Sequence, residues 1–269
     1  MPDDVYTHGH QEAVLRSHRW RTAENSAGYL LAHLRPGLDL LDLGCGPGTI
    51  TLDLAARVAP GRTLGLDRSD DIVQQAARTA AEAGVEGVDF ATGDAYRLDL
   101  ADECFDVVHA HQVLQHLTDP VAALVEAGRV LRPGGLLAVR DADYAAFAWA
   151  PLDPRLERWL ALYHEVTKRN GAEADAGRFL PAWVRRAGFV DVVTTSTTWT
   201  FADPASRSWW GGLWADRVTS SAFADQARAY GLSDGAELAD LADAFRQWAL
   251  DTDAVFIVPH VEVLARRPG

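Results

Sequence analysis

Cysteine is scarce in this 269-residue chain. Cys45 and Cys104 form no disulfide framework, and no CxxC-type spacing offers a metal its ligands, so no metal is expected. Lysine is scarcer still: Lys168 stands alone, and the arginines are scattered. With a net charge of −13, no basic stripe offers a phosphate backbone a track, which disfavours nucleic acid as a partner. No uncharged apolar run approaches about 18 residues, so no membrane span is expected. The first twenty residues carry charges and histidines where a signal peptide needs an apolar stretch. Repeats and low-complexity tracts are absent. Together these absences point to a cytoplasmic enzyme.

What is present is core-forming: 48% of residues are apolar. Apolar spacing predicts a helix over 11–34, stopped by Pro36-Gly37. Strands follow at 40–43, 63–66, 88–92, 105–110 and 136–140. Helices at 49–58, 70–83 and 120–131 alternate with them. Strand and helix in alternation imply an α/β fold, a mostly parallel sheet covered on both faces. Beyond residue 150 the chain reads as helical over 153–188, with a break at Asn170-Gly171. A strand is expected at 189–201, helices over 204–250, and a last strand at 254–266. Pro259 within that strand implies an edge or a bulge. Eight of the nine tryptophans lie beyond residue 145. Three parts result: an N-terminal helical lid segment (1–37), a ligand-binding core (38–150) and a C-terminal half (151–269). The last carries a helical insertion at about 200–252.

Chemistry concentrates in Leu-Leu-Asp-Leu-Gly-Cys-Gly-Pro-Gly-Thr, residues 40–49. A glycine-rich turn after the first strand of such a sheet brings backbone close to a ligand. The glycines fall at 44, 46 and 48, which is not the GxGxxG spacing of a pyrophosphate loop. Pro47 also removes an N–H where a phosphate wants donors. The expected ligand is a nucleoside without a pyrophosphate. Asp67 ends the second strand, where a carboxylate accepts from both ribose hydroxyls. Asp94 follows the third, where it can meet an adenine amino group while the Ala95 N–H serves a ring nitrogen. Each acid alone also reads as a helix cap. Three of them, Asp42, Asp67 and Asp94, at three successive strand ends favour a neutral or cationic nucleoside.

The order of motifs resembles a class I S-adenosylmethionine-dependent methyltransferase. Residues 40–49 resemble the family's first motif, Gly65-Leu66-Asp67 its ribose acid and Gly93-Asp94-Ala95 its adenine loop. Phe105–Leu117 resembles the segment after the fourth strand, and 130–135 the turn before the fifth. The match spans about 38–140 and is most similar to the small-molecule branch that includes the ubiquinone and menaquinone C-methyltransferases. It implies a Rossmann-like sheet of seven strands whose last is antiparallel. S-adenosyl-L-methionine is the implied cofactor. Gly44 and Gly46 would lie against its methionine portion, and Asp42 within reach of its ammonium. Arg68 belongs with the same set. Where the family often uses backbone or a small polar residue, His109, Ala110 and His111 stand here.

The implied activity is methyl transfer by SN2 displacement to a small, largely apolar or aromatic acceptor. An acceptor O, N or C nucleophile must lose a proton, so a base helps. His111 is the first choice, with His116 and Tyr144 as the other catalytic candidates. Asp141 and Tyr144 after the fifth strand, His10 near the start, and Trp149 and Trp210 are the expected acceptor contacts. The blander reading makes most of these histidines packing or capping residues and most tryptophans lid core. Arg16, Arg19 and Arg21 form a solvated face, or one of them meets the cofactor carboxylate. Other functions stay open: RNA or protein methylation, or use of the cofactor without methyl transfer. A homodimer also stays open. The acceptor is expected beneath a lid made by residues 1–34 and 200–252.

Overall fold

The computed structural model describes residues 4–8 and 17–269. Its first strand, β1 (Leu40–Leu43), is buried along its whole length, as a central strand covered on both faces must be. Chain order continues with α3 (Thr49–Val58), β2 (Thr63–Asp67), α4 (Asp70–Ala83), β3 (Val88–Thr92) and β4 (Phe105–His111). Next come α5 (Pro120–Val130), β5 (Leu131–Ala142), β6 (Ala148–Ala150), α6 (Pro154–Arg169), α7 (Ala176–Arg186) and β7 (Val190–Phe201). Helices α8 (Pro204–Ser220), α9 (Ala222–Ala229) and α10 (Gly235–Leu250) precede β8 (Val255–Arg266).

The sheet runs β3-β2-β1-β4-β5-β8, with β7 on the far side of β8 and β6 on its near side. The first five strands are parallel, and β8 is antiparallel to β5, β6 and β7. The ends of β1, β2, β3, β4 and β5 therefore open on one edge. Alternate residues build the two faces. Leu41, Val108 and Leu137 face a cluster with Leu124 and Val184. Leu40, Val107 and Leu136 face another with Leu30 and Leu54. A third cluster, with Trp159, Trp214, Phe245 and Phe256, joins α6, α8, α10 and β8.

Three helices open on the same dipeptide. Asp119, Asp153 and Asp203 each accept a backbone N–H from the first turn, and each precedes a proline at the first helical position. The carboxylate satisfies an orphan donor, and the proline needs none.

Several expectations change. The helix over 11–34 is not continuous. Residues 9–16 lie outside the described part, and 20–34 contain two short helices, α1 (Ala23–Ser26) and α2 (Gly28–Leu31). The Thr22 side chain accepts the Asn25 N–H while the Asn25 side chain accepts the Thr22 N–H. This capping box starts a new helix inside the apolar stripe. The fifth strand runs from Leu131 to Ala142 rather than 136 to 140, and the short β6 makes eight strands where seven are implied. Pro259 is not at an edge. The pairing of β8 passes from β5, ending at His260, to β6, beginning at Ile257. Asp143 N–H donates to Pro259 O at 3.2 Å, so the proline nitrogen faces the gap between those two ladders, where no donor is required.

Candidate active site

A cavity of about 750 Å³ opens at the carboxyl ends of β1, β2, β3 and β4, where open α/β sheets bind ligands. The volume falls within the roughly 300–1,000 Å³ of small-molecule and cofactor sites. One wall is the turn after β1. Gly44 and Cys45 donate their N–H groups to Leu66 O at 2.7 and 2.9 Å, folding the turn onto the end of β2. Gly44 sits at φ +70, and a Cβ there would come within 2.3 Å of Val113 Cγ2, so only glycine lets the turn lie this close.

Asp67 Oδ2 accepts the Gly46 N–H at 3.1 Å, and Oδ1 accepts the Ser69 N–H at 3.0 Å. Asp94 is exposed on the cavity wall beside Ala95, and its Oδ1 accepts the Tyr96 N–H at 2.9 Å. Arg68 also lines the cavity and donates to Asp4 O at 2.7 Å. Asp42 reaches the cavity from beneath the turn. Its Oδ2 accepts from Thr51 Oγ1, and its Oδ1 lies 2.7 Å from His109 Nδ1. His109 is the departure from expectation. It is fully buried behind Asp42 and does not line the cavity. It shares a face of β4 with His111 but lies two residues deeper from the carboxyl end, in register with Asp42, so it orients a carboxylate rather than meeting a ligand.

His18 stands by the turn, with its backbone O accepting from Thr49 Oγ1 at 3.1 Å, while the opposite wall carries Arg21, His111, Gln112 and His116. His111 and His116 are the expected bases, and both lie there. Burial, reinforced by the Arg140 and Arg21 charges, holds His111 well below the usual imidazole value. Burial, then Arg21 and Arg217, take His116 down to about 3. Arg140 Nη1 stands 3.5 Å from His111 Nδ1, so that lone pair faces a guanidinium. Residues 4–8 close this side. Asp4 Oδ1 accepts from Tyr96 Oη at 3.1 Å and from the Thr118 N–H at 2.9 Å, and Tyr6 packs edge-on against His116 at 4.7 Å.

Beside the cavity lies a smaller chamber of about 20 Å³ that shares His8, Arg21 and Gln112 with it. Tyr144 and Trp210 line this chamber rather than the main cavity. Tyr144 stacks on Tyr163 at 4.1 Å with its hydroxyl 3.5 Å from His8 Nε2, and Trp210 stacks on Phe201 at 4.3 Å. Two expected acceptor contacts reach neither space. Trp149 stacks on Phe256 at 5.5 Å. Asp141 is fully buried, with Oδ1 accepting the Gln115 N–H at 3.3 Å and Oδ2 unpartnered. Burial pushes its pKa up to about 8. His10 lies outside the described residues. The helices α8–α10 do not touch the main cavity; only α8 reaches the chamber, through Trp209, Trp210, Trp214 and Arg217. The reading of the sequence missed Tyr6, Gln112 and Arg217. Gln112 alone had a signal, as the polar residue directly after the fourth strand.

Carboxylates at the strand ends and a turn pared to backbone fit a nucleoside that carries positive charge; they do not fit a pyrophosphate. A doubly wound sheet with such a cavity at its carboxyl edge defines an enzyme of the class I, S-adenosylmethionine-using kind. Comparison with known proteins agrees. Residues 34–189 match the methyltransferase domain family. An uncharacterized methyltransferase of Schizosaccharomyces pombe is 30% identical over 97% of this chain and 96% of its own. A ubiquinone/menaquinone biosynthesis C-methyltransferase of Roseobacter denitrificans is 36% identical over 56% of this chain and 61% of its own. The crystal structure of the [4+2]-cyclase SpnF matches with a TM-score of 0.57 and 26% identity, over 98% of this chain and 89% of that one. The chain belongs to the S-adenosylmethionine-dependent methyltransferases, and S-adenosylmethionine is its cofactor. Among the described residues, no helix is long and apolar enough to cross a membrane.

Proposed function

We propose that this methyltransferase acts on a small, largely apolar or aromatic acceptor. The observation that carries the reading is the aromatic wall where the 750 Å³ cavity adjoins the small chamber, whose own 20 Å³ holds about one water, so the acceptor would occupy the cavity against that wall. The wall is built mostly from aromatic rings, including Trp20, Tyr144, Trp199, Trp209, Trp210 and Trp214. Aromatic and apolar walls with a few polar groups suit a small organic molecule. They suit a polyanion poorly, as does the net charge of −13.

In this reading Gly44 and Gly46 lie along the methionine part of the cofactor, with Asp42 beneath its ammonium. Asp67 takes the ribose hydroxyls, and Asp94 with the Ala95 N–H takes the adenine. When bound, S-adenosylmethionine supplies a methyl group already activated on a sulfonium. What remains to the protein is to align the acceptor and to exclude water. Residues 4–8, latched through Asp4 to Tyr96 and Thr118, supply the cover. With His111 and His116 held neutral and weakly basic, alignment rather than a histidine base is the main contribution.

The likeness to a [4+2]-cyclase gives a second reading, use of the cofactor without methyl transfer. Incubation with methyl-labelled S-adenosylmethionine and cell extract separates the two. The proposal predicts label in the organic-extractable small-molecule fraction. Label in RNA or protein refutes the acceptor class, and bound cofactor with no label moved favours the second reading.

A further inference from the structure

The cavity carries charges of both signs: Asp42, Asp67 and Asp94 with Arg68 and Arg97 beside β1, β2 and β3, and Asp4 with Arg21, His111 and His116 on the far side. The adjoining chamber is different. Arg21 and Arg217 line it, and no aspartate or glutamate does among the described residues.

Arg21 is held by neutral groups. His260 Nδ1–H donates to Val258 O at 3.0 Å, which leaves Nε2 as an acceptor. Gln112 Nε2 donates to His260 Nε2 at 2.8 Å. That turns the Gln112 carbonyl oxygen toward Arg21, whose Nη2 donates to it at 2.5 Å. Each link fixes the orientation of the next. Gln112 holds φ +53 to do this, a backbone state a non-glycine residue rarely keeps without a local reason. The Arg21 guanidinium also stands 5.6 Å from the centre of the Trp199 ring. Arg21 has no carboxylate partner among the described residues, and its Nε is buried without one. Burial, with added repulsion from Arg217 and Arg140, lowers its pKa to about 10. A cation kept in place without a counter-ion is expensive unless a ligand completes it.

We propose that Arg21 is the anion site for the acceptor: the acceptor is a small aromatic or apolar acid, and its carboxylate, phenolate or enolate pairs with Arg21 where the cavity meets the chamber. The inference rests on the small-acceptor reading above and adds the charge. A carboxylic acid arrives already deprotonated at neutral pH, and a phenol or enol loses its proton to solvent more readily beside the Arg21 charge, in keeping with histidines that are poor bases. The other source of the same chemistry is the cofactor's own carboxylate. Position favours the acceptor. His18, rather than Arg21, stands at the glycine turn, 3.7 Å from where a Gly46 Cβ would be. Arg21 instead shares its wall with Trp20 and Trp199.

The test uses the full chain saturated with S-adenosylhomocysteine and titrated with 2-naphthoate and with its neutral amide, 2-naphthamide. A charge-assisted bond predicts the acid binding roughly ten- to a hundredfold tighter than the amide. Arg21→Gln removes that preference and leaves affinity for S-adenosylhomocysteine nearly unchanged. If Arg21→Gln does not fold, Gln112→Leu keeps the charge, frees its anchor and lowers the preference. Equal binding of acid and amide overturns the anion site and leaves the small aromatic acceptor standing. Binding of neither removes both readings. An Arg21→Gln variant that loses affinity for S-adenosylhomocysteine but not for 5′-methylthioadenosine, which has no carboxylate, assigns Arg21 to the cofactor and overturns the proposal.

Discussion

Asp67 Oδ2 accepts the Gly46 N–H at 3.1 Å, tying the turn after β1 to the last residue of β2. One carboxylate thus shapes the turn and, in the proposed function, takes the ribose hydroxyls. Asp67→Ala is expected to leave the circular dichroism spectrum unchanged and to weaken S-adenosylhomocysteine by roughly 1.5–3 kcal/mol per charged hydrogen bond lost. Calorimetric titration checks this. Unchanged affinity would reduce Asp67 to a cap for α4.

Gly44→Ala combines a positive φ with a Cβ that would collide with Val113. The expected cost is about 1–3 kcal/mol from backbone strain, with overpacking added. Val113→Ala in the same chain should recover the packing part and leave the strain. Denaturant midpoints of the two variants measure the difference.

Asp141 makes stability depend on pH. Its folded pKa of about 8 lies above the ordinary carboxyl value of 3.8 because the carboxyl is buried. Between those values the folded chain holds a proton that the unfolded chain has released, so stability falls as pH rises through the window. His8, His111, His116 and His260 act oppositely. Their lowered values make stability fall as pH drops below about 6.5. Relative to Asp141→Asn, the wild type should lose about 2 kcal/mol between pH 6.5 and 8. Parallel stability curves for the two proteins would contradict this origin.

His111→Ala separates alignment from base catalysis. Loss of a general base costs roughly 10²–10⁴ in rate. With Nδ1 facing Arg140 and the ring neutral, the expected loss is below that range. A fall within it would restore His111 as the base.

The cofactor half of the site was legible because its signals are local. Glycines 44, 46 and 48 follow an apolar strand, and Asp67 and Asp94 close the next two; α4 begins at Asp70 and ends at Ala83, as read. The part proposed for the acceptor was not. Gln112 lies 91 residues from Arg21 and 148 from His260, and no spacing within one sequence marks such a chain of contacts. The tryptophans beyond residue 145 look alike by composition. Trp210 reaches the chamber only because α8 turns that face inward, while Trp149 is drawn onto Phe256 by β6. The N-terminal apolar stripe hid the Thr22–Asn25 box that divides it.

The central claim is that the acid-lined cavity belongs to S-adenosylmethionine. Thermal unfolding with S-adenosylhomocysteine tests it most directly. At about 100 times Kd the ligand should add roughly 2.7 kcal/mol, raising Tm by roughly 5–10 °C for a chain of this size. A rise with S-adenosylhomocysteine that Asp67→Ala diminishes is the predicted result. No rise with it, alongside a rise with NAD, would contradict the account.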